Sequence, residues 1–441
     1  MSADAVAPAL WPAPLANGPI SAEVSVPGSK SETNRALVLA ALSDGPSVIS
    51  GVLRSRDSEL MIAGLSALGV DIQDLDDDTL RVSPPHTFTP APDGIDVGLA
   101  GTVMRFLPPV AALAPGTTRF FGDERASQRP LAPLLDALRQ LGVTIDSPTG
   151  SVPFTLTSPT GPLGRRARID SSTSSQFISG LLLAASRFPA GLELRHEGAS
   201  VPSLPHIEMT IEMAAKHGAV IATPEPNHWI VEPRPLTAVG ERVEPDLTNA
   251  AAFLIAATIT DGTVRTYWPS VTTQPGDEIL DILTRFGAHV QRDPATSSVT
   301  VTGSGTLHGY DFDLSSASEL TPVVAGLAAF AEGQTRITGV GHIRGHETDR
   351  ITAIVSILRA VGVSAEETED GLLIGTPLDS NPTNVPQRHG TDLETFADHR
   401  IAHLGALLGL RIPGLRLIDV ATTAKTMPDF PQRWSAMVAA S

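Results

Sequence analysis

The stretch "SKSETNRALVLAALSDGPSVISGV", residues 29–52, contains the pattern that decides the fold. A polar cluster precedes an apolar run of helical length, which a glycine and a short strand-like segment follow. Ser29 and Glu32 fit the Ser-x-x-Glu capping box of a helix start. Lys30 and Arg35, however, fall in the first turns of this helix, where the helix macrodipole disfavours cations. The stretch therefore predicts a helix whose start carries positive charge that the helix itself does not explain.

The same pattern occurs six times along the chain, and each copy continues with a second helical segment such as "SELMIAGLSALGV", residues 58–70. A glycine ends the first apolar run of each copy, and a glycine just past a helix is a common left-handed cap. These glycines are Gly45, Gly116, Gly191, Gly262, Gly333 and Gly414. Their spacings are 71, 75, 71, 71 and 81 residues, so units of about 72 residues nearly fill the chain.

Units of this kind need neighbours to bury their apolar faces, and we expect the first helix of each to be buried on most sides. The last and longest spacing includes residues 375–394, for which we expect an enlarged, mobile surface loop. On the repeat alone, a structural array without chemistry remains an alternative.

Composition restricts the function further. The chain has 441 residues and a formal net charge of −17, which argues against broad binding to nucleic acid or anionic membranes. It has no cysteine, which excludes disulfides, thiolate metal sites and a cysteine nucleophile. The N-terminal residues do not resemble a signal peptide, and no apolar run approaches the ~20 residues of a membrane span. We therefore expect a soluble, cytoplasmic protein.

Each repeat places a polar cluster at a helix start, where free backbone N–H groups and the macrodipole favour anions. Lys30, Arg35, Arg105 and Arg400 add cations at these starts. For any one of them alone, a solvated surface position or a local ion pair is the commoner explanation. Together they predict a cleft for highly anionic small molecules.

Three further stretches carry charged candidates: Arg129 in "ASQRPL", His346 to Arg350 in "GHETDRI", and Lys425 in "TTAKTMPDF". None has the spacing of a zinc or calcium site. No dinucleotide-binding or P-loop motif stands in the required context, so those two enzyme classes are disfavoured.

Six motifs resemble the signatures of the enolpyruvylshikimate-phosphate synthase family, the 3-phosphoshikimate 1-carboxyvinyltransferases. They are "PGSKSETNRALVLAAL", "GLAGTVMRFL", "SSQFISGLLLAA", "HETDRI", "ADHRIAH" and "TTAKTMPDF". The resemblance runs from about Val24 to Phe430. It implies a two-domain inside-out α/β barrel with three repeats per domain. The first domain comprises residues 1–28 plus 245–441 and the second residues 29–244, with the active site in the cleft between them.

The resemblance also implies the reaction. The enolpyruvyl group of phosphoenolpyruvate moves to the 5-hydroxyl of shikimate 3-phosphate and phosphate is released, a step of the shikimate pathway to chorismate and the aromatic amino acids. Both substrates carry a phosphate and a carboxylate, which suits a cationic cleft. No metal or organic cofactor is implied. We expect a monomer that glyphosate inhibits.

The family's residue roles transfer to matching positions of this chain. Glu319, Lys30 and Glu347 resemble the family's catalytic residues. Glu319 resembles the acidic residue that accepts the 5-hydroxyl proton, and Glu347 resembles the residue placed near the methylene carbon that is protonated. The residues that resemble the family's shikimate 3-phosphate contacts are Lys30, Ser31, Arg35, Ser174, Ser175, Gln176, Ser203, Glu319 and His346. The residues that resemble the family's phosphoenolpyruvate contacts are Lys30, Gly101, Arg129, Gln176, Arg350, Arg400 and Lys425.

The chain departs from the family pattern at four positions. Leu99 cannot make the polar side-chain contact of the commoner Gly-Asn-Ala-Gly-Thr motif. Glu319 replaces an aspartate and reaches one methylene further. His346 replaces a lysine, so its charge is conditional near neutral pH and substrate affinity is expected to depend on pH. His206 stands where an aromatic hydroxyl is common.

Two alternatives stay open. A related enolpyruvyl transferase that acts on UDP-N-acetylglucosamine shares the fold, but it usually uses a loop cysteine, which this chain lacks. A catalytically inactive paralogue is expected to lose some of the charged residues, and this chain keeps them all.

Overall fold

The computed structural model describes residues 9–158, 161–375 and 391–441. The chain divides into two compact units: Pro27–Glu244, and Met1–Val26 together with Pro245–Ser441. Each unit has its own hydrophobic core.

Helices occur in both units. Pro27–Glu244 contains α1 (Lys30–Leu42), α2 (Arg56–Ala67), α3 (Gly101–Ala111), α4 (Ala132–Gln140), α5 (Gln176–Ala185) and α6 (Pro205–Lys216). The other unit contains α7 (Leu247–Thr260), α8 (Ile279–Phe286), α9 (Thr321–Ala328), α10 (Arg350–Ala360), α11 (His399–Gly409) and α12 (Phe430–Val438).

Strands are short and fall between the helices. They are β1 (Leu10–Pro12), β2 (Ser21–Val24), β3 (Ser47–Ser50), β4 (Asp71–Asp74), β5 (Leu80–Ser83), β6 (Ile95–Asp96), β7 (Gly116–Phe121), β8 (Thr144–Asp146), β9 (Phe154–Ser158), β10 (Arg166–Ile169), β11 (Leu192–His196), β12 (Ile221–Glu225), β13 (His228–Val231), β14 (Glu241–Arg242), β15 (Thr263–Tyr267), β16 (His289–Asp293), β17 (Ser298–Thr302), β18 (Asp311–Asp313), β19 (Thr335–Thr338), β20 (Ala365–Glu367), β21 (Leu372–Ile374), β22 (Asp392–Glu394) and β23 (Arg416–Ile418).

The sheets repeat one topology. In the described ranges, five four-stranded sheets have the orders β14-β3-β5-β4, β6-β7-β9-β8, β10-β11-β13-β12, β2-β15-β17-β16 and β18-β19-β21-β20. In each, the second strand follows an apolar helix, pairs in parallel with the first strand and pairs antiparallel with the third. The sixth sheet, β1-β23-β22, keeps the same central strand with one strand fewer. The repeat predicted from the sequence is therefore a repeat of structure.

The first helix of each repeat is the buried one. Every residue of α3, α9 and α11 is buried, and α1, α5 and α7 are exposed only near their first residues. The second helices α2, α4, α6, α8, α10 and α12 bury one face. The expectation of first helices buried on most sides is confirmed.

The prediction that the repeat glycines cap these helices is wrong. Helix α5 ends at Ala185, six residues before Gly191, and the left-handed residue that ends α7 is Asp261 rather than Gly262. A Cβ atom would lie 2.3 Å from the Val231 carbonyl oxygen at Gly191 and 2.0 Å from that of Ile20 at Gly262. Glycine is needed there because the next strand begins in close contact with a neighbouring backbone.

The loop expected over residues 375–394 lies mostly outside the described residues. Among the described residues, no helix has the length and apolarity needed to cross a membrane.

Candidate active site

The start of α1 fixes the first charged position. The Glu32 N–H donates to Ser29 Oγ at 3.4 Å, as the capping box predicts. The reciprocal half of the box is wrong: the Glu32 carboxylate accepts the Glu244 N–H at 2.8 Å, while the Ser29 N–H donates to the Glu244 carbonyl oxygen at 2.7 Å. The start of α1 is thus hydrogen-bonded to Glu244, two residues after β14, and Lys30 takes the first helical position.

Lys30 has a carboxylate neighbour that sequence reasoning missed. Its Nζ lies 3.5 Å from Oδ2 of Asp57, a side chain that is only 4% exposed. Asp57 lies in the first turn of α2, after the Ser55 cap. Part of the positive charge at the start of α1 is therefore balanced within the unit, while Lys30 itself stays 18% exposed.

Arg35 is buried among neutral acceptors. Its Nε donates to Thr210 Oγ1 at 2.7 Å, Nη1 donates to the Ser31 carbonyl oxygen at 2.9 Å, and Nη2 donates to Ser179 Oγ and to the His206 carbonyl oxygen. Burial lowers the pKa of Arg35 to about 9, although Glu32 opposes this. Four of the five N–H donors of this guanidinium are thus used; three join α1 to α5 and α6, and one stays within α1.

Gly101 separates two buried guanidinium groups. A Cβ atom at this position would lie 2.8 Å from Arg105 Nη1 and 2.9 Å from Arg129 Nη2. Arg129 donates from Nη1 to the Leu99 carbonyl oxygen at 2.9 Å, and its Nε has no hydrogen-bond partner among the described residues. Arg129 is 8% exposed. A buried guanidinium with so few acceptors is suited to an anionic ligand.

The serine loop, residues 170–176 before and at the start of α5, contacts Arg105 through Gln176. Gln176 Oε1 accepts a hydrogen bond from Arg105 Nη1 at 2.8 Å, and the Gln176 N–H donates to Ser174 Oγ at 3.3 Å. Ser175 is the buried residue before the helix. Ser203 has a left-handed backbone with φ of 51°, and its carbonyl oxygen accepts the His206 N–H. We call this set of side chains the Lys30 cluster: Lys30, Ser31, Arg35, Gly101, Arg105, Arg129, Ser174, Ser175, Gln176 and Ser203.

The second set of charges surrounds Arg350, the first residue of α10, which is 1% exposed. Its Nε donates to Asp398 at 2.8 Å, and its Nη2 donates to Asp398 at 3.2 Å and to Glu347 at 2.9 Å. Its Nη1 donates to Glu319 at 3.2 Å and to His346 Nδ1 at 3.0 Å. Burial would lower the pKa of Arg350, but the three carboxylates hold it above its usual value. All five N–H donors therefore have protein acceptors.

Glu319 lies between two arginines. Its Oε2 is 3.2 Å from Arg350 Nη1 and 3.3 Å from Arg400 Nε, and its side chain is 29% exposed. Burial favours a raised pKa, but the two cations outweigh it and hold the pKa of Glu319 well below its usual range. Nη1 of Arg400 has no hydrogen-bond partner in the described part of the chain, so this arginine retains donor capacity.

Glu347 joins Arg350 to Lys425, whose Nζ lies 2.5 Å from Glu347 Oε1. His346 is half-buried, and burial together with the adjacent Arg350 lowers its pKa to about 3. The expectation that His346 changes charge near neutral pH is therefore wrong. We call these side chains the Arg350 cluster: Glu319, His346, Glu347, Arg350, Asp398, Arg400 and Lys425.

Sequence reasoning missed two members of this neighbourhood. Asp398, 0% exposed, caps α11 by accepting the Arg400 N–H at 2.9 Å and also binds Arg350. Its position as an Asp before a helix was a readable cap signal. His342 Nε2 lies 2.9 Å from Ser318 Oγ, and nothing in the sequence pattern distinguished it from a surface histidine.

The repeated sheets around buried helices, together with cations at the helix starts, define the α/β fold of the enolpyruvyl transferases. An EPSP synthase structure from Acinetobacter baumannii matches with a TM-score of 0.80 and 25% identity, covering 97% of this chain and 98% of that one. The enolpyruvyl transferase NikO from Streptomyces tendae has the same fold, with a TM-score of 0.74, 21% identity and coverage of 98% and 97%. The predicted fold class is confirmed.

Sequence comparison gives the family. The model for EPSP synthase (3-phosphoshikimate 1-carboxyvinyltransferase) matches residues 15–434. Proteins named 3-phosphoshikimate 1-carboxyvinyltransferase from Bifidobacterium longum and Kocuria rhizophila are each 48% identical, covering 97% of this chain and 98% and 96% of their own. The chain belongs to the EPSP synthase family, as the motifs predicted.

Proposed function

We propose that this chain transfers the enolpyruvyl group of phosphoenolpyruvate to the 5-hydroxyl of shikimate 3-phosphate and releases phosphate. The observation that carries the proposal is the position of Glu319, whose carboxylate lies 3.2 Å and 3.3 Å from Arg350 and Arg400. A base for the hydroxyl proton is thus held against two cations that suit a substrate carboxylate. Family membership supports the same reaction.

The positions that match the family's motifs supply the proposed substrate contacts. For shikimate 3-phosphate these are Lys30, Ser31, Arg35, Ser174, Ser175, Gln176, Ser203, Glu319 and His346. For phosphoenolpyruvate these are Lys30, Gly101, Arg129, Gln176, Arg350, Arg400 and Lys425. Because Arg35 already uses four donors within the protein, its main role is to hold α1, α5 and α6 in place.

Arg350 can bind a substrate carboxylate only by exchange, since all five of its donors are occupied. Asp398 is the least replaceable acceptor because it is 0% exposed and also caps α11. Glu319 is the most exposed of the three carboxylates at 29%, and its one bond to Arg350 is 3.2 Å long. The incoming carboxylate therefore displaces Glu319 from Arg350 and Arg400.

This exchange prepares the base. With its two cations neutralised by the substrate, Glu319 regains a higher proton affinity and is released towards the 5-hydroxyl. Glu319 takes the hydroxyl proton as the oxygen adds to C2 of phosphoenolpyruvate, and the Lys30 ammonium delivers a proton to C3, with the Glu347 carboxylate assigned to the same carbon. In the second step the C–O bond to phosphate breaks while a C3 proton passes to the neutral Lys30 amine or to the Glu347 carboxylate, and Lys425 and the arginines stabilise the leaving anion.

The remaining properties are part of the same proposal. The enzyme acts as a cytoplasmic monomer without a metal or organic cofactor, and glyphosate competes with phosphoenolpyruvate because Gly101 keeps the space between Arg105 and Arg129 open.

Mass spectrometry of the products tests the proposal. Incubation with both substrates is expected to yield 5-enolpyruvylshikimate 3-phosphate in amounts equal to the phosphate released. Phosphate release without that product contradicts it. Undiminished turnover with glyphosate well above the phosphoenolpyruvate concentration contradicts the inhibitor prediction.

A further inference from the structure

His196, the last residue of β11, joins two loops through its ring. It is 8% exposed. The Ser171 N–H lies 3.1 Å from Nδ1, and Nε2 lies 2.5 Å from the Ala199 carbonyl oxygen. A neutral imidazole serves both only when Nδ1 accepts and Nε2 carries the hydrogen. The Ile169 carbonyl oxygen, 3.2 Å from Nδ1, would need the opposite tautomer, which leaves the other two groups without this partner.

One side of the ring leads to the Lys30 cluster through consecutive hydrogen bonds. The Ser171 carbonyl oxygen accepts the Ser174 N–H at 3.1 Å. Ser174 Oγ accepts the Gln176 N–H, and Gln176 Oε1 accepts from Arg105. A shift of Ser171 would therefore move the serine loop as a whole.

The other side of the ring leads to the segment between β11 and α6, which carries Ser203. Ala199, which Nε2 contacts, also accepts a hydrogen bond from Ser172 Oγ at 3.3 Å. Gly198 lies against the serine loop so closely that a Cβ atom would be 2.4 Å from Asp170 Oδ1 and 2.6 Å from Ser172 Oγ. The two loops are thus packed together with the imidazole beside them.

We propose that His196 is a positioning residue for shikimate 3-phosphate, holding residues 170–176 and 197–203 in register so that Ser174, Ser175 and Ser203 face the same ligand. The inference rests on the proposed function, because it takes shikimate 3-phosphate as that ligand. His196 itself does not touch the substrate.

Three variants separate the two hydrogen bonds. His196→Phe keeps a planar ring and removes both, His196→Asn keeps an acceptor near the Nδ1 position, and His196→Gln keeps a donor near the Nε2 position. In His196→Phe we expect the KM for shikimate 3-phosphate to rise about tenfold, about 1.4 kcal/mol of binding free energy, because the two loops lose the partner that holds them in register. The KM for phosphoenolpyruvate rises less, because Gln176 is the only one of its proposed contacts on this loop, and the melting temperature falls because the Ser171 N–H loses its acceptor. The Asn and Gln variants show smaller changes.

His228→Phe is the matched control, because His228 is a buried histidine on the adjacent strand β13. Its ring nitrogens make no hydrogen bond within the described residues, and Nε2 lies 3.6 Å from Glu193. We expect it to leave both KM values unchanged. An equal rise in both KM values in the His196 variants, or a lower melting temperature with an unchanged KM for shikimate 3-phosphate, overturns the inference. If His196→Phe does not fold, the Asn and Gln variants decide on the same criterion. A wild-type chain that releases no phosphate contradicts the proposed function instead.

Discussion

Substitution of Glu319 by glutamine separates catalysis from substrate binding. The amide keeps the size of the side chain but cannot take a proton, so we expect kcat to fall by about 10²- to 10⁴-fold, the usual contribution of a general base. Glutamine also no longer competes as an anion for Arg350 and Arg400. Binding of phosphoenolpyruvate should therefore become tighter while turnover collapses.

The size of the binding gain follows from the two ion pairs. Glu319 lies 3.2 Å and 3.3 Å from the two guanidinium groups and is 29% exposed. Partly exposed pairs of this kind contribute about 0.5–1 kcal/mol each. Their removal should thus lower the dissociation constant of phosphoenolpyruvate roughly 5- to 30-fold.

Steady-state phosphate release gives kcat and KM, and in a slow variant KM approaches the dissociation constant. Glu319→Asp keeps the charge and should retain more turnover, while Glu332→Gln, on a side chain that is 72% exposed, should behave as wild type. A Glu319→Gln enzyme with near-wild-type kcat, or with phosphoenolpyruvate binding weakened as much as turnover, refutes the assignment.

Three further predictions concern single positions. Gly101→Ala places a methyl group 2.8–2.9 Å from two guanidinium groups, an overpacking that costs about 1–3 kcal/mol. We expect the KM for phosphoenolpyruvate to rise and glyphosate inhibition to weaken, each at least several-fold. Unchanged KM and inhibition would contradict this packing. Asp398→Asn breaks a fully buried ion pair and should cost about 3–5 kcal/mol of unfolding free energy, against less than about 1 kcal/mol for the exposed pair removed by Asp392→Asn; denaturant melts compare the two. The pKa of His346 is lowered to about 3 from 6.5, so the unfolded chain binds the extra proton and this residue's stabilisation is present above pH 6.5 and lost as the pH falls towards 3. His346→Asn should therefore lose less melting temperature than wild type between pH 7.5 and pH 5, and equal losses would contradict the shift.

Much of the fold could be predicted because it repeats. The period of the apolar helices and the polar clusters before them identify the units without any knowledge of the sheets. The predicted role of the glycines as helix caps was wrong. At Gly191 and Gly262, glycine is required by the close approach of a backbone segment that is distant in sequence. Local spacing carries no information about such a contact.

The cations of the site could be predicted from the sequence, but the buried carboxylates that pair with them could not. Lys30 and Arg350 were candidates from the sequence, but Asp57 and Asp398 reach them only through the packing of separate elements. The neutral state of His346 was missed for the same reason, since it depends on Arg350 beside it and on burial. Charge compensation is a property of the folded neighbourhood rather than of a motif.

The measurement that tests the central claim most directly is phosphate release from phosphoenolpyruvate with three acceptor conditions: shikimate 3-phosphate, UDP-N-acetylglucosamine and no acceptor. The Glu319→Gln variant serves as the matched control in each. We predict rapid release with shikimate 3-phosphate alone, and release reduced by about two or more orders of magnitude in the variant. Release that prefers UDP-N-acetylglucosamine, or that is absent with all three, contradicts the proposed function.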